Sequence, residues 1–563
     1  MKRRTFLRNS VRLALSLPLI PTISSCGGGG GGSSSGDNSG GGSTTPPPSP
    51  PPRASTTTLA IPPLVTPDGS NTINLQANDG TTEFYTGVSS VTKGFVDVNN
   101  DTGTSYLGPT IRVSSSNIHS TASGTEMVDK GTQTAGANNV NFSVMNNTST
   151  TISAHWHGLH VDGFVDGGPY NSIAPGATWS PTLPIYQQAS TNWYHTHIMG
   201  TTAENVYRGL AGMFIIDDTN SAALDAAGLP STYGVDDVPL IVQDKVFVNN
   251  VMDTTGISGR FAGDTFMVNG VIEANLDVEA GLNRFRILNA SNSRTYNFSL
   301  VHNSVTGTMQ KIATDGGFLA APVTLSSLRM AAGERNEVVV DFSAYEEGDV
   351  VSLVSTDLDY TTGLTSPFTI MTFTVIAQTS QTSGNSVPAT LNANLDADRT
   401  LMLNKTPDAY VAIDLPGNAT PFASGRSTSG PATAVDFPMN PATANFVSTS
   451  TQTSAGYTEE WTVTAGRHPF HLHGCSAMIK SIGGNTTIPA ELQGWKDVFD
   501  IDTDPTGVAS TGSPIVFMVQ FNERAYSAGS NAGPAPGIDH MYMMHCHILG
   551  HEDAGMMGVF EVI

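Results

Sequence analysis

Ten of the fourteen histidines fall in four short clusters, and each cluster contains a His-x-His step. His155-Trp156-His157 and His195-Thr196-His197 come first. His471-Leu472-His473, preceded by His468, and His545-Cys546-His547, followed by His551, lie near the end. On a strand, residues i and i+2 project from one face, so both imidazoles of a step can reach one metal-filled cavity. One such step would pass for coincidence, but four in a chain with only four other histidines mark a metal site. Imidazole suits copper, zinc, iron and nickel, so the spacing alone leaves the metal open.

The last cluster narrows the choice. Cys546, His551 and Met556 stand within eleven residues, and His468 is available from another strand. One thiolate, two imidazoles and a weak thioether form the ligand set of a blue-copper electron-transfer centre. Zinc seldom recruits methionine, and its structural sites favour more cysteines. Cys546 also sits between His545 and His547. If it holds one copper while its neighbours hold others, bonded atoms connect two redox centres.

Such side chains need strands to hold them, and from about residue 58 the chain reads with period 2 rather than 3.6. Asn283–Leu288, Glu337–Phe342 and Ile515–Phe521 are apolar or alternating runs, with Gly, Pro, Asn, Asp, Ser and Thr crowded between them. No amphipathic pattern persists for several helical turns. The expectation is an all-β protein of β-sandwiches, each of ~100–170 residues. Connectors near 221–235 and at Thr379–Ser386 divide it into domains at 58–220, 236–378 and 390–563.

The 563 residues carry 48 acids against 25 bases, a formal charge of −23. That balance argues against a nucleic-acid-binding surface, which needs a basic stripe. Three cysteines (Cys26, Cys475, Cys546) cannot build a disulfide framework. Residues 1–26 join a basic start, Lys2-Arg3-Arg4, to an apolar stretch too short to span a bilayer. They read as a twin-arginine-type secretory signal, which places the protein in the periplasm or at the cell surface. Ile23-Ser24-Ser25-Cys26 resembles a bacterial lipobox, so a lipid anchor at Cys26 is expected and no transmembrane helix in the mature chain. The Gly/Ser/Pro-rich linker at 27–57 would then be a tether. Cys475 has no ligand role and reads as a small buried hydrophobe, and His160 and His540 as structural or solvent-facing.

The four clusters resemble the copper-binding motifs of the multicopper oxidases, most closely the bacterial three-domain type similar to copper-efflux oxidase, laccase and bilirubin oxidase. Leu107-Gly108-Pro109-Thr110-Ile111, Val165-Asp166-Gly167-Gly168-Pro169, Ala313-Thr314-Asp315-Gly316-Gly317 and Gly494-Trp495-Lys496-Asp497 also resemble family segments. The resemblance implies three cupredoxin-like Greek-key β-sandwiches and four coppers per chain. It assigns the type 1 copper to His468, Cys546 and His551 with Met556 axial, and the type 2 copper to His155 and His471. It gives one type 3 ion to His157, His195 and His547, and the other to His197, His473 and His545. Asp166 and Glu552 match acids that relay protons in similar enzymes. The activity implied is one-electron oxidation of a small reductant (a phenol, an aromatic amine or a metal ion) at the type 1 copper. Electrons passing through Cys546 would then support four-electron reduction of O2 to water at the trinuclear cluster.

The sequence departs from copper-efflux oxidases in one respect. Between Met371 and Met439 only Met402 interrupts a methionine-free span, and Thr464-Ala465-Gly466-Arg467 leads into the third motif. A laccase-like preference for phenols is therefore expected over a cuprous-ion metallo-oxidase. A copper nitrite reductase would leave eight histidines surplus to its type 1 pair. A copper-storage protein would need loose Met- or His-rich tracts, which the sequence lacks.

Overall fold

The computed structural model describes residues 56–99, 105–115, 139–356, 365–379, 382–415, 423–427, 435–436, 452–453, 458–465, 468–501, 514–520 and 541–562. These all belong to one compact unit, Pro52–Ile563. The expected secretory signal at 1–26 with Cys26, nearly all of the 27–57 segment, His119 and His540 lie outside the described residues.

The protein is all-β, built as three sandwiches of paired sheets. In the first, one sheet runs in the order Leu64–Val65, Thr110–Ser114, Ala211–Asp217, Ser190–His195, His155–His157. It faces a sheet built on Val88–Asp97, Thr72–Tyr85 and Asn139–Asn147. The alternation that predicts strands is visible in the last of these. Val140, Phe142, Val144 and Asn146 are buried, while the residues between them are half-buried or exposed. Phe142 meets Trp156 and Phe214 across the core. The second sandwich packs a seven-stranded sheet on a six-stranded one, around Phe285, Phe298, Tyr296 and Phe373.

In the third sandwich, Thr458–Ala465 and Ile515–Gln520 are central to one sheet. The other contains Met557–Val562, Met541–Cys546, Pro469–Leu472 and Val498–Asp500 in adjacent order. The core between them holds Trp461, Phe470, Phe499, Phe517 and Cys546.

Among the described residues four short α-helices break the β pattern: α1 (Thr202–Arg208), α2 (Thr219–Ala226), α3 (Leu395–Asn404) and α4 (Leu549–Asp553). The strand-period reading passes over α2, which begins where the sequence suggests a connector. Its start is fixed by a reciprocal cap: the Asp218 carboxylate accepts from Ser221 N–H, and the Ser221 hydroxyl accepts from Asp218 N–H. No helix among the described residues is long and apolar enough to cross a membrane.

Candidate metal centre

Strand parity places the histidines. The edge strand His155–His157 pairs antiparallel with Ser190–His195, so His155 lies opposite His195. Trp156 turns into the first core, and its two neighbours turn the other way. In the third sandwich His471 lies opposite His545 in the same manner. Phe470, Leu472, Met544 and Cys546 alternate with these two and point into the core. His545 and Cys546 therefore serve opposite faces of one sheet, although a single peptide bond joins them.

The two domains bring their imidazoles together in a buried cluster. His155 stacks on His473 with ring centroids 4.0 Å apart, and His157 stacks on His471 at 3.7 Å. Donor atoms of His197, His473 and His545 come within 4.8 Å of one another, as do those of His155, His157 and His195, and of His155, His471 and His473. His547 lies 5.0 Å from His157 and 5.9 Å from His195 by ring centroid, and neither of its ring nitrogens has a hydrogen-bond partner.

Most of these rings are tied at one nitrogen. His155 Nδ1 donates to the Asp166 carbonyl (2.9 Å), His195 Nδ1 to the Thr196 carbonyl (2.8 Å) and His545 Nδ1 to the Cys546 carbonyl (3.0 Å). His473 Nδ1 donates to Asp166 Oδ2 at 2.8 Å. The opposite nitrogens, Nε2 of His155, His195 and His471, are buried without a partner, as is Nδ1 of His157. Elsewhere Nε2 of His545 faces Nε2 of His473 at 3.1 Å and Nε2 of His197 at 3.2 Å.

Burial, then the neighbouring imidazoles, hold His157, His195, His197, His471, His473 and His547 well below the usual imidazole range. Burial pushes His545 down to about 3. At neutral pH these rings are uncharged and aim lone pairs at a common space. Such a set is repulsive by itself and fits a cation that accepts nitrogen donors.

A second donor group lies beyond the strand. His468 Nδ1 is 3.1 Å from Cys546 Sγ, His551 Nδ1 is 3.8 Å from it, and the two Nδ1 atoms are 3.3 Å apart. Burial drives the Cys546 thiol up to about 12, so a thiolate there needs a cation beside it. Met556 is fully buried in the same core, and its carbonyl accepts from Cys546 N–H. Thioether, thiol and imidazoles together suit copper.

Sequence and structure of known proteins agree with this chemistry. Family models described as multicopper oxidase match residues 132–221 and 525–563. "Multicopper oxidase mco" of Staphylococcus aureus is 30% identical over 505 residues, covering 88% of this chain and 89% of that protein. The chain belongs to the multicopper oxidase family. A multicopper oxidase is an oxidoreductase that takes O2 and a reducing substrate. The chain is also similar to "Cell division protein FtsP" of Sodalis glossinidius, 34% identical over 403 residues that cover 71% of this chain and 76% of that one. Among solved structures it resembles McoA multicopper oxidase of Aquifex aeolicus, with a TM-score of 0.70 and 26% identity over 90% of this chain and 99% of that chain. It also resembles the laccase-like multicopper oxidase CueO of an Ochrobactrum species, with a TM-score of 0.66 and 28% identity over 90% and 100%. The three sandwiches are the three cupredoxin domains of this family.

The acids named from sequence both reach the multicopper-oxidase cluster. Asp166 holds His155 and His473, as above. Its position depends on Gly167, whose φ of +83° is open to glycine and where a Cβ would lie 1.8 Å from the Ala154 carbonyl oxygen. Glu552, buried on α4, has carboxylate oxygens 3.2 Å from His197 Nδ1 and 3.5 Å from His545 Nδ1. Burial and neighbouring Asp553 raise it well above the usual carboxylate range. Cys475 is buried in the third core, its thiol directed at the His473 carbonyl. His160 is half-buried, with Nε2 2.9 Å from Ser476 Oγ.

Two groups reach the cluster that the histidine spacing does not single out. Asp497 lies against His157 and His471, and Arg335 of the middle domain lies against Asp497. The segment Gly494–Asp497 carries a family resemblance that hints at the first. Nothing local in the sequence marks Arg335.

Proposed function

We propose that the protein is a laccase-like multicopper oxidase holding four coppers per chain. It would oxidise phenols or similar small reductants one electron at a time and reduce O2 to water. The observation that carries this reading is the convergence of eight buried imidazoles at the interface of the first and third domains, with Cys546 one peptide bond away and His468 and His551 beside its thiol.

His468, Cys546, His551 and Met556 would hold the type 1 copper, and His155 and His471 the type 2 copper. His157, His195 and His547 would hold one type 3 ion, and His197, His473 and His545 the other. Copper so held supplies one-electron chemistry toward the reductant and four-electron chemistry toward O2. The chain supplies the rest. The backbone of His545-Cys546-His547 is the covalent path between the two donor sets. Asp166 Oδ1, buried without a partner, and the Glu552 carboxylate beside His197 are placed to hold protons next to the cluster. Replacing Asp166 with Asn is expected to slow O2 reduction by ~10²-fold or more, the usual scale for a lost general acid, while the blue colour persists. Unchanged steady-state turnover would remove Asp166 from the proton route.

Two observations favour a phenol over cuprous ion. Met402 is fully buried beside Leu395 and Met478, so it offers no thioether to an incoming ion. The positive charge of Arg260 is felt at both Cys546 and His551, helping burial to bring His551 down to about 4. The same charge repels a cation approaching that site. The loop bearing it packs directly on α4, because a Cβ at Gly550 would lie 2.2 Å from Gly259 N.

Metal analysis with optical and paramagnetic spectra tests the copper reading: four coppers, one blue, one normal and a silent pair. One or two per chain would sink it. Oxygen uptake faster with a phenol than with cuprous ion supports the laccase-like preference, and the reverse order overturns it. The similarity to FtsP favours a second reading, a role in cell division, which a division defect in a host deprived of the protein would support. We also propose export through the twin-arginine signal and anchoring at Cys26. Mature protein from its host should then enter the detergent phase on partition, and recovery in the aqueous phase would remove the anchor.

A further inference from the structure

Two buried aspartates hold the stacked imidazole pairs by the same device. Asp166 accepts His155 Nδ1–H on its carbonyl and His473 Nδ1–H on Oδ2. Asp497 accepts His471 Nδ1–H on its carbonyl at 2.9 Å and His157 Nε2–H on Oδ1 at 3.2 Å. Each aspartate therefore grips its own domain's histidine through the backbone and the other domain's histidine through the carboxylate.

The pair differs in what else the carboxylate meets. Asp166 Oδ1 is buried and unpartnered. Both oxygens of Asp497 are taken in a fork by Nη1 and Nη2 of Arg335. Arg335 begins the strand Arg335–Asp341 of the middle domain and is fully buried. Its own seat is fixed from every side. Its Nε donates to the Thr191 carbonyl at 3.1 Å and its backbone N–H to Asp315 Oδ1 at 2.8 Å. Lys496, next to Asp497, reaches back to Asp315 and Glu334 at 2.8 and 2.7 Å. The same loop brings Gly333 so near the cluster that a Cβ there would lie 2.8 Å from the His547 ring.

We infer that Arg335 and Asp497 form a clamp by which the middle domain, which brings no histidine to the cluster, sets the tautomer and seat of His157 and His471. A carboxylate accepts only, so the proton of His157 must sit on Nε2 and the lone pair of Nδ1 must face the cluster. Held at the Asp497 carbonyl, His471 likewise presents Nε2. The fork stops the carboxylate from turning away and engages both of its oxygens. Although its donors and those of His157 and His471 lie within 4.8 Å of one another, Asp497 acts as a positioning residue and not as a ligand. The outer partner of a ligating histidine typically alters metal affinity 10–100-fold when it is changed.

The inference rests on the proposed copper reading, and the two fail differently. Native protein without its coppers removes both, whereas native protein with four coppers and indifferent variants removes the clamp alone. The test uses full-length, copper-loaded Asp497→Asn and Arg335→Lys, challenged with a copper chelator. Asp497→Asn should release copper from the histidine cluster about 10–100-fold more readily, with altered type 2 paramagnetic parameters. Arg335→Lys keeps the charge but loses the fork and should move the same signals less. The blue band, whose donors lie in the third-domain core, should be unchanged in both. Native retention and native type 2 parameters in both variants overturn the clamp, as does loss of the blue band in step with the cluster, which would signal a folding role only. If Asp497→Asn does not fold, Arg335→Lys decides by the same readings.

Discussion

Replacing Cys546 with serine is expected to abolish the blue absorption and to cut turnover of every reductant by several orders of magnitude. One copper per chain should be lost and the histidine cluster kept. The reason is local. Cys546 Sγ is the soft atom on which Nδ1 of His468 and Nδ1 of His551 converge, and its neighbours in sequence give the shortest covalent route to the cluster. A serine hydroxyl is a hard, neutral oxygen that copper at such a site binds poorly. It also brings a polar group into a core otherwise built of Phe470, Leu472 and Phe517. That should cost about 1–3 kcal/mol of stability, with Ile548 N–H, which now meets the thiol at 3.4 Å, limiting the loss. The type 2 paramagnetic signal should persist, because His155 and His471 are untouched. A variant that stayed blue would show that the thiol is not the colour-giving donor.

The second large effect concerns the copper-free protein and pH. Eight of the clustered histidines are held below the usual imidazole range, chiefly by burial, including His545 at about 3 and His551 at about 4. In the unfolded chain each titrates near ~6.5. Between those limits the unfolded state binds more protons than the folded one, so stability falls as pH drops below about 6.5. Each group contributes a slope of up to about 1.4 kcal/mol per pH unit. Against a total of roughly 5–15 kcal/mol for a folded protein, several such groups acting together are decisive. Above about pH 6.5 they contribute no slope. The apoprotein should therefore melt at a steady temperature from pH 7 to 8 and far lower by pH 5. The copper-loaded protein should hold its melting temperature further down, since copper competes with protons for the same nitrogens. Calorimetry on both forms across this range is the check. A flat apoprotein profile from pH 7 to 5 would mean that the rings are not buried and neutral in solution.

Much of the centre was legible because its signals are local. A His-x-His step on a strand needs no partner to be read, since parity alone puts both rings on one face. Cys546, His551 and Met556 are close enough in sequence for their chemistry to be read as a set. The strands themselves were readable from alternation, as in Asn139–Asn147. α2 was not, because its determinant is a reciprocal cap between Asp218 and Ser221 rather than an apolar stripe.

The sequence by itself marked which residues could bind metal, favoured copper as that metal, and placed the candidate ligands on β-strands. Those are properties of residue type and of spacings shorter than a dozen residues. Only the tertiary structure decided which clusters meet and what holds them in place. Stacking of His157 on His471 and of His155 on His473 depends on the docking of two sandwiches. The bond from His157 to Asp497 spans 340 residues, and the arginine that locks it comes from the middle domain, which carries no metal motif. A buried side chain's partners are set by docking and desolvation, and no local pattern encodes either one.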